Sequence, residues 1–463
     1  MVTSTRVIVA WVRCLAIAIG IGAGFRVGEI VRNPMHTYKQ RRLAGLWNHS
    51  DFMKLWVGES ISLMGSQVTF LALPLTTVLF FKATPVQMGI LGAAQGAPSL
   101  LVSLMAGVWV DRRRRRPIMI SANVGRAVLL GSIPAIAALG RLNIGQLYVV
   151  AFLVGILTVF FDVAYMSFLP TLVTRDHLVE GNTKLTISSA VAQFVGPALG
   201  GWLVQAITAP MAIAVDAMSF VVSATFLMLI HTVELVQPRD KQDRQSNIRG
   251  EILEGLRIVW DDRILRVLTG STGTLNFCVS MLLATAILYL TRDLGIKPVL
   301  LGLIFAFLGP GAVVGAFLTA RVTRLFGVGA TTVGAILLAG AADLLIPLMR
   351  GPLAVVVPVI AAAYFVIGLT GPFYTINIIS LRQAITPDRL LGRVSASMRF
   401  LTASLFPLGA LVGGGLGQLI GLRSTLVIGG IGVLCASLWL LLSPVRGLHE
   451  SPKQVHEPTL AVP

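Results

Sequence analysis

The sequence predicts an all-α integral membrane protein, and two observations support that prediction. Apolar residues make up 55% of the 463-residue chain and charged residues only 12%, which is about half the charged share of a soluble domain. Apolar runs of about twenty residues, the length of a membrane-spanning helix, recur from one end of the chain to the other. The formal net charge of +17 lies in the short loops between these runs, so it indicates orientation in a membrane and contact with membrane lipid rather than nucleic-acid binding.

The first 50 residues form an N-terminal extension that is open to three interpretations. Residues 7–25 are apolar but are interrupted by Arg13, and basic residues follow them. The pattern is consistent with a signal-like segment, with an additional membrane helix, or with sequence upstream of a translation start at Met35.

From Lys54 onward the pattern is regular and predicts twelve membrane helices in two sets of six. The first set lies near 54–80, 86–110, 117–139, 146–170, 184–207 and 210–230. The second set lies near 266–290, 299–320, 326–349, 352–380, 396–421 and 424–443. We therefore expect a first bundle over 51–230, a linker over 231–265, a second bundle over 266–443 and a tail over 444–463.

Lysine and arginine are distributed unevenly between alternate loops. The loops on the side of Arg112 to Arg116 hold 19 of them, and the loops on the other side hold 6. The positive-inside rule therefore places the first set of loops in the cytoplasm, together with both ends of the twelve-helix core. We expect a multi-pass protein of the plasma (inner) membrane.

The linker contains a helical pattern of its own. Ile248, Ile252, Leu256 and Trp260 recur every four residues, with charged residues elsewhere on the helical wheel. The pattern predicts an amphipathic helix at the cytoplasmic interface, which is either a passive connector or a regulatory binding helix.

The two sets of helices also repeat each other. Gly89 and Gly107 are 18 residues apart in the first set, and Gly302 and Ala320 are 18 apart in the second. Parallel repeats of this kind are typical of transporters that bind a small molecule between the repeats near the middle of the membrane. The pattern predicts two six-helix pseudo-repeat bundles.

The loop between the second and third predicted helices has the pattern Gly-x-x-x-Asp-Arg-x-x-x-Arg, formed by Gly107, Asp111, Arg112 and Arg116. Its five consecutive arginines cannot enter hydrocarbon, so they set topology. The acid beside them also fits a gate between the two halves. Arg399, near the start of the predicted helix 396–421, is placed either to meet Asp111 in such a gate or to extend to the interface.

This loop resembles the loop 2–3 signature of the major facilitator superfamily. Further stretches, in order along the chain, resemble the third drug:proton antiporter branch of that superfamily, which includes macrolide exporters and the enterobactin exporter. The resemblance covers about 46–442, and its other stretches are 55–60, 161–165, 178–182, 196–201, 216–220 and 386–395.

The resemblance implies the major facilitator fold and the export of a small, largely apolar compound in exchange for protons, by a protein that functions as a monomer. The chain departs from the pattern in two places. The predicted helix 146–170 lacks the arginine that many proton-driven relatives carry, and Ser66 stands where relatives often carry an acid. The alternatives are a dedicated exporter of a siderophore or lipid, and a transport-inactive assembly or sensor subunit.

Charged residues inside membrane helices are costly, so they are candidates for function. Glu59, with no evident partner, is the first candidate for the proton site, and Asp162 is the second. Arg126 lies at a similar depth. If Asp162 forms an ion pair with Arg126, it stays ionised and acts as a structural lock between helices; if it is unpaired, burial favours its protonated form and it becomes a proton site. Asp216 and Asp343, about two turns from the outer ends of their helices, either line an outward vestibule or cap an adjacent helix.

The motif Gly-Pro-x-x-Gly-Gly lies in the predicted helix 184–207 and consists of Gly196, Pro197, Gly200 and Gly201. Proline removes a backbone donor, and glycine permits close approach of helices. The motif therefore predicts either a bend where the repeats move or a close-packing site.

Enzyme motifs are absent from the sequence. There is no GxxxxGK[ST] phosphate-binding loop, and HExxH, CxxC and GxSxG do not occur. The three cysteines lie in apolar runs without metal-ligand spacing. We expect no catalytic residue, no cofactor and no metal.

Overall fold

A computed structural model describes residues 45–110, 113–174, 177–232 and 248–447. Several predicted features lie outside these ranges. They are residues 1–44 of the N-terminal extension, Asp111 and Arg112 of the arginine loop, residues 233–247 of the linker, and residues 448–463 of the tail.

The first half of the chain is built from long helices joined by short loops. They are α1 (Ser50–Leu75), α2 (Pro85–Val110), α3 (Arg115–Ala138), α4 (Ile144–Leu172), α5 (Leu178–Ala206) and α6 (Ala209–Met228). A π-helical turn, Thr76–Phe80, extends α1.

The linker and the second half follow the same plan. Their helices are α7 (Ile248–Asp261), α8 (Arg263–Leu288), α9 (Pro298–Ala306), α10 (Leu308–Phe326), α11 (Val328–Leu348), α12 (Leu353–Ile385), α13 (Asp388–Leu419) and α14 (Leu422–Leu441). A π-helical turn, Tyr289–Asp293, extends α8.

Eleven helices of the described part of the chain are long and apolar enough to cross a membrane, with α9 and α10 counted as one. To these α2 adds one more, because its 26 residues include no charged residue. The prediction of an all-α membrane fold with twelve apolar helices is confirmed.

The predicted helix 299–320 is interrupted at Phe307, which ends α9 and precedes α10. Pro310 lies three residues further on and has no backbone N–H, so the carbonyl of Ala306 lacks its regular helical partner. Next to that carbonyl, the Phe307 N–H donates to the carbonyl of Ile304, at 3.2 Å, which is the tighter spacing of a 3₁₀ turn.

We call the end of the bundle next to Arg113 to Arg116 the arginine side, and the other end the opposite side. Several helices extend further on the arginine side than predicted: α13 begins at Asp388 rather than at 396. The prediction depends on continuous apolar runs, whereas the first two turns of this helix mix charged and apolar residues. Arg399 therefore lies about three turns inside α13, not near its start as expected.

The same pairs of helices pack together in both halves. In the first half α1 packs against α5 and α6, α3 against α4 and α6, and α2 against α4. In the second half α8 packs against α13 and α14, α11 against α12 and α14, and α10 against α12. These are the same neighbours in repeat order, so the pseudo-repeat is present in the packing as well as in the sequence. The halves meet where α2 contacts α13 and α5 contacts α9.

The linker helix α7 packs against α13 and α8. A Cβ at Gly255 would lie 2.8 Å from the carbonyl oxygen of Arg393, so the absence of a side chain allows this approach. Arg393 also pairs with Glu254 at 2.5 Å. Trp260 belongs to the predicted apolar stripe but is 68% exposed. It therefore does not lie on the face of α7 that packs against the bundle.

The fold yields a labelling prediction. Arg114 lies on the arginine side and Lys297 on the opposite side, and both are exposed. In a background without the native cysteines, a cysteine at Lys297 should react with an impermeant maleimide in intact cells, whereas one at Arg114 should react only after permeabilisation. Labelling of both positions in intact cells would contradict a membrane-crossing path between them.

Candidate functional site

A cavity of about 770 Å³ lies between the two halves. Its walls come from α1, α2, α3, α4 and α6 of the first half and from α13 of the second. Apolar side chains, including Phe70, Phe220 and Phe400, supply much of the lining. The lining extends from Leu73 and Ala151, nearer the opposite side, to Ser103 and Met166, nearer the arginine side, so the cavity spans the middle of the bundle.

Charged side chains form one layer at the depth of this cavity. Counted from the arginine-side end of its helix, each lies 9 to 12 residues inside, or about 14–18 Å. The layer consists of Glu59, Arg126, Asp162, Asp216 and Arg399. All of these except Glu59 line the cavity, and Glu59 lies within electrostatic range of Arg126 and Asp162.

Arg126 is almost fully enclosed, at 4% exposure. Its guanidinium carbon lies 4.3 Å from the ring centroid of Phe161 and 4.2 Å from that of Phe220, so two aromatic faces clamp the cation. The guanidinium also donates to Oδ1 of Asn123. Asn123 in turn donates from Nδ2 to Oγ of Ser223, at 2.9 Å. This second bond fixes the orientation of the amide, so that Oδ1 is directed at Arg126.

Three carboxylates surround this clamped cation. Glu59, Asp162 and Asp216 all interact electrostatically with Arg126, but no described carboxylate lies within 4.0 Å of its guanidinium. The direct pair of Arg126 with Asp162, which would make Asp162 a lock, is therefore not formed in this conformation. Arg126 instead interacts electrostatically with all three carboxylates at distances greater than 4.0 Å.

The three acids have different surroundings. Asp216 is 1% exposed and accepts a hydrogen bond from Oγ of Ser219 at 3.0 Å. Asp162 is exposed to the cavity. The Oε2 atom of Glu59 is buried and has no hydrogen-bond partner among the described residues, which agrees with the expectation that this acid has no evident partner.

The remaining sequence candidates lie away from this layer or outside the described ranges. Asp343 lies in α11, within electrostatic range of Cys278 and Tyr364 of the second half, and does not line the cavity. Arg116 caps α6, donating from Nε to the carbonyl of Leu227 at 2.8 Å and from Nη2 to that of Met228 at 2.6 Å.

The gate expected at the arginine loop stays a prediction. Gly107 lies near the end of α2 with open space where a Cβ would stand, whereas Asp111 and Arg112 fall outside the described residues. Arg399, their expected partner, lines the cavity.

The Gly-Pro-x-x-Gly-Gly motif of α5 is a packing surface in this conformation. A Cβ at Gly196 would meet the side chain of Gln67, and one at Gly200 would lie 3.2 Å from the Cα of Val68, both in α1. Gly201 faces α9 instead, where a Cβ would fall on the carbonyl oxygen of Pro298 and lie 2.9 Å from the Cα of Gly302. The motif thus joins α5 to its own half on one face and to the second half on another.

The contact of Gly201 with Gly302 has a counterpart at the other junction between the halves. A Cβ at Gly89 in α2 would lie 3.0 Å from the Cα of Gly414 in α13, and 2.6 Å from the carbonyl oxygen of Ala410. Gly302 follows Gly89 by 213 positions, and Gly414 follows Gly201 by the same 213. Both junctions lie on the opposite side, so two symmetry-related backbone contacts close the bundle there.

The sequence analysis missed Asn123, Phe161 and Phe220 as parts of the site. Asn123 precedes Arg126 by three residues in an apolar run, and a polar pair on one helix face is a signal that the sequence contains. The two phenylalanines carry no such signal, because their role depends on which faces of α4 and α6 meet Arg126.

A family model described as transmembrane secretion effector, within the major facilitator group, matches residues 43–463. The multidrug efflux pump Tap of Mycolicibacterium fortuitum is 27% identical over 375 residues, covering 78% of this chain and 88% of that protein. The enterobactin exporter EntS of Citrobacter koseri is 22% identical over 421 residues, covering 89% of this chain and 96% of that one.

Solved structures share the fold at low identity. A bacterial homologue of the iron transporter ferroportin, in an inward-facing state, superposes with a TM-score of 0.68 at 15% identity, covering 85% of this chain and 98% of that one. The nucleoside transporter NupG superposes with a TM-score of 0.67 at 10% identity, with the same coverage of 85% and 98%. These likenesses confirm the predicted major facilitator fold.

The clamp around Arg126 leads to a stability prediction. Asn123→Ala removes the partner of both Arg126 and Ser223 inside the bundle, so it should lower the free energy of unfolding by about 1–3 kcal/mol. The measurement is the Tm of the purified protein in detergent. Ser99→Ala is the matched control, because that cavity hydroxyl donates only to Gly96 of its own helix. Equal Tm values for the two variants would show that Asn123 does not support the clamp.

Proposed function

Since the chain belongs to the transmembrane secretion effector family of major facilitator transporters, we propose that it exports a small, largely apolar compound by alternating access, in exchange for protons. The observation that carries this proposal is the cavity between the halves, with its layer of charges. On the opposite side the halves are in backbone contact at the two glycine junctions, whereas Ser395 and Arg399 of α13, nearer the arginine side, line the cavity opposite the first half.

The distribution of lysine and arginine supports a cytoplasmic arginine side. Because the glycine junctions close the opposite side, the cavity in that orientation opens toward the cytoplasm, and this conformation is the one that takes up cargo from inside the cell. Export then requires the glycine junctions to part while the arginine side closes. The symmetry of the junctions supports a rocking movement of one half against the other.

Glu59 is the proton site of this proposal. Its carboxyl group lies in the charge layer with a buried oxygen that has no hydrogen-bond partner among the described residues. Protonation of Glu59 would remove one of the three negative charges that balance Arg126. Such a change alters the electrostatic energy of the charge layer. If the two conformations differ in that energy, proton binding shifts the equilibrium between them.

The names of the relatives support a cargo of the drug or siderophore type. Tap is described as a multidrug efflux pump and EntS as an enterobactin exporter. A dedicated siderophore exporter is therefore the second candidate function. Efflux of several unrelated apolar compounds from vesicles would favour the first candidate, and efflux of one siderophore alone would favour the second.

The proposed proton site yields a transport prediction. Glu59→Gln keeps the shape of the side chain and removes its titratable group, so efflux driven by a pH gradient should be lost while exchange of unlabelled for labelled substrate continues. The measurement is substrate flux in proteoliposomes with and without the gradient. Asp261→Asn, an exposed carboxyl-to-amide change in α7, is the control and should retain both activities.

Gradient-driven efflux by Glu59→Gln at the wild-type rate would assign the proton site elsewhere, and Asp162→Asn is then the variant to test.

The glycine junctions yield a prediction about access. Gly201→Ala places a methyl group against the backbone of α9, so it should loosen the closure on the opposite side. An impermeant maleimide added outside cells should then react faster with a cysteine at the cavity residue Phe70. Gly334→Ala is the control, because a Cβ there meets open space. Equal reaction rates in the two variants would show that the glycine contact does not limit access.

A further inference from the structure

The second half contributes to the cavity through one helix. Its lining residues all come from α13: Ser395, Ala396, Arg399, Phe400 and Phe406. Arg399 is the charged residue among these five, so the charge that the second half presents to a bound molecule is positive.

Arg399 and Asp162 lie at matching depths in opposite halves. Asp162 is 10 residues from the arginine-side end of α4, and Arg399 is 11 residues from that of α13, which corresponds to about 15 and 17 Å. Their charges interact across the cavity, yet no ion pair within 4.0 Å joins these two described residues. Both side chains line the same cavity, so one bound molecule can contact both.

These two side chains are also the most exposed charges of the cavity wall. Both are exposed to the cavity. Arg126 is enclosed by two rings and Asn123, and Asp216 is buried against Ser219. An accessible anion in the first half thus faces an accessible cation in the second, with the rings of Phe70, Phe400 and Phe406 on the same cavity walls.

We propose that Asp162 and Arg399 form a two-point site for a zwitterionic compound with an apolar or aromatic body, its cationic group on Asp162 and its anionic group on Arg399. Electrostatic attraction of the cationic group to Asp162, together with a charge-assisted hydrogen bond from Arg399 to the anionic group, makes such a compound complementary to the site in a way that a simple cation or anion is not. Because the two contacts belong to different halves, the bound compound joins the halves across the cavity. This inference rests on the proposed export function and names the substrate class of the same cavity.

The test compares two dyes that differ in one charge. Rhodamine B is a zwitterion, and its ethyl ester is a cation with the same aromatic body. Fluorescence anisotropy with the full chain in nanodiscs, corrected with empty nanodiscs, gives the Kd of each. Rhodamine B should bind about tenfold or more tightly than the ester, as expected for one additional hydrogen bond to a charged group.

The variants separate the two contacts. Arg399→Gln should raise the Kd of rhodamine B about tenfold and leave that of the ester unchanged, whereas Asp162→Asn should weaken both dyes. The double variant Asp162→Arg with Arg399→Asp should recover rhodamine B binding in the reversed orientation. Arg257→Gln, at an exposed arginine of α7, is the control and should change neither Kd.

Equal Kd values for the two dyes, unaffected by Arg399→Gln, would overturn the inference. If the wild-type protein shows no preference between the dyes but exports neutral compounds, the proposed function stands and the two-point site is wrong. A protein that binds the dyes as expected but moves no compound across proteoliposomes would retain the site and lose the proposed function.

Discussion

The positive charge of Arg126, held in the middle of a bundle of apolar helices, is the constraint on which the rest of the site depends. A charge at this depth costs several kcal/mol unless it is compensated inside the protein. The compensation comes from α4 and α6, through the rings of Phe161 and Phe220, and from Asn123 on the same helix. Carboxylates from α1, α4 and α6 then surround the clamped cation at longer distance. The packing of the first half therefore places its acids in one layer, and Asp162 and Asp216 of that layer line the cavity.

The second half contributes little charge to the cavity. Its contribution to the cavity is a face of α13, and that face carries Arg399. The same helix carries Gly414, which meets α2 on the opposite side, and Arg393, which pairs with the linker helix on the arginine side. One helix thus connects the closed junction, the cavity wall and the linker. A movement of the second half relative to the first must change the first two of these contacts, because both join α13 to helices of the first half.

The internal repeat explains why the closure on the opposite side is symmetric. A backbone contact requires glycine on both helices, and the repeat supplies it twice: Gly89 meets Gly414, and Gly201 meets Gly302. The carbonyl oxygens that a Cβ would strike also correspond, since Pro298 repeats Pro85 and Ala410 repeats Pro197 at the same offset of 213 positions. The antiporter-like motif of α5 is therefore one half of a pair of junctions, in addition to its packing against α1.

The sequence by itself determined the class, the number of apolar helices, the repeat and most of the charge layer, because each depends on local composition. A run of twenty apolar residues predicts a span wherever it packs, and Glu59, Arg126, Asp162 and Asp216 stand out because charge inside such a run is costly. The ends of the helices on the arginine side were underestimated, since turns that mix charged and apolar residues, such as those after Asp388, form no continuous apolar run. Only the tertiary structure decided that Phe161 and Phe220 clamp Arg126, and that Arg399 faces Asp162 from the other half. Those relations depend on which helix faces meet across long separations in the chain, and packing between distant segments leaves no mark on local composition.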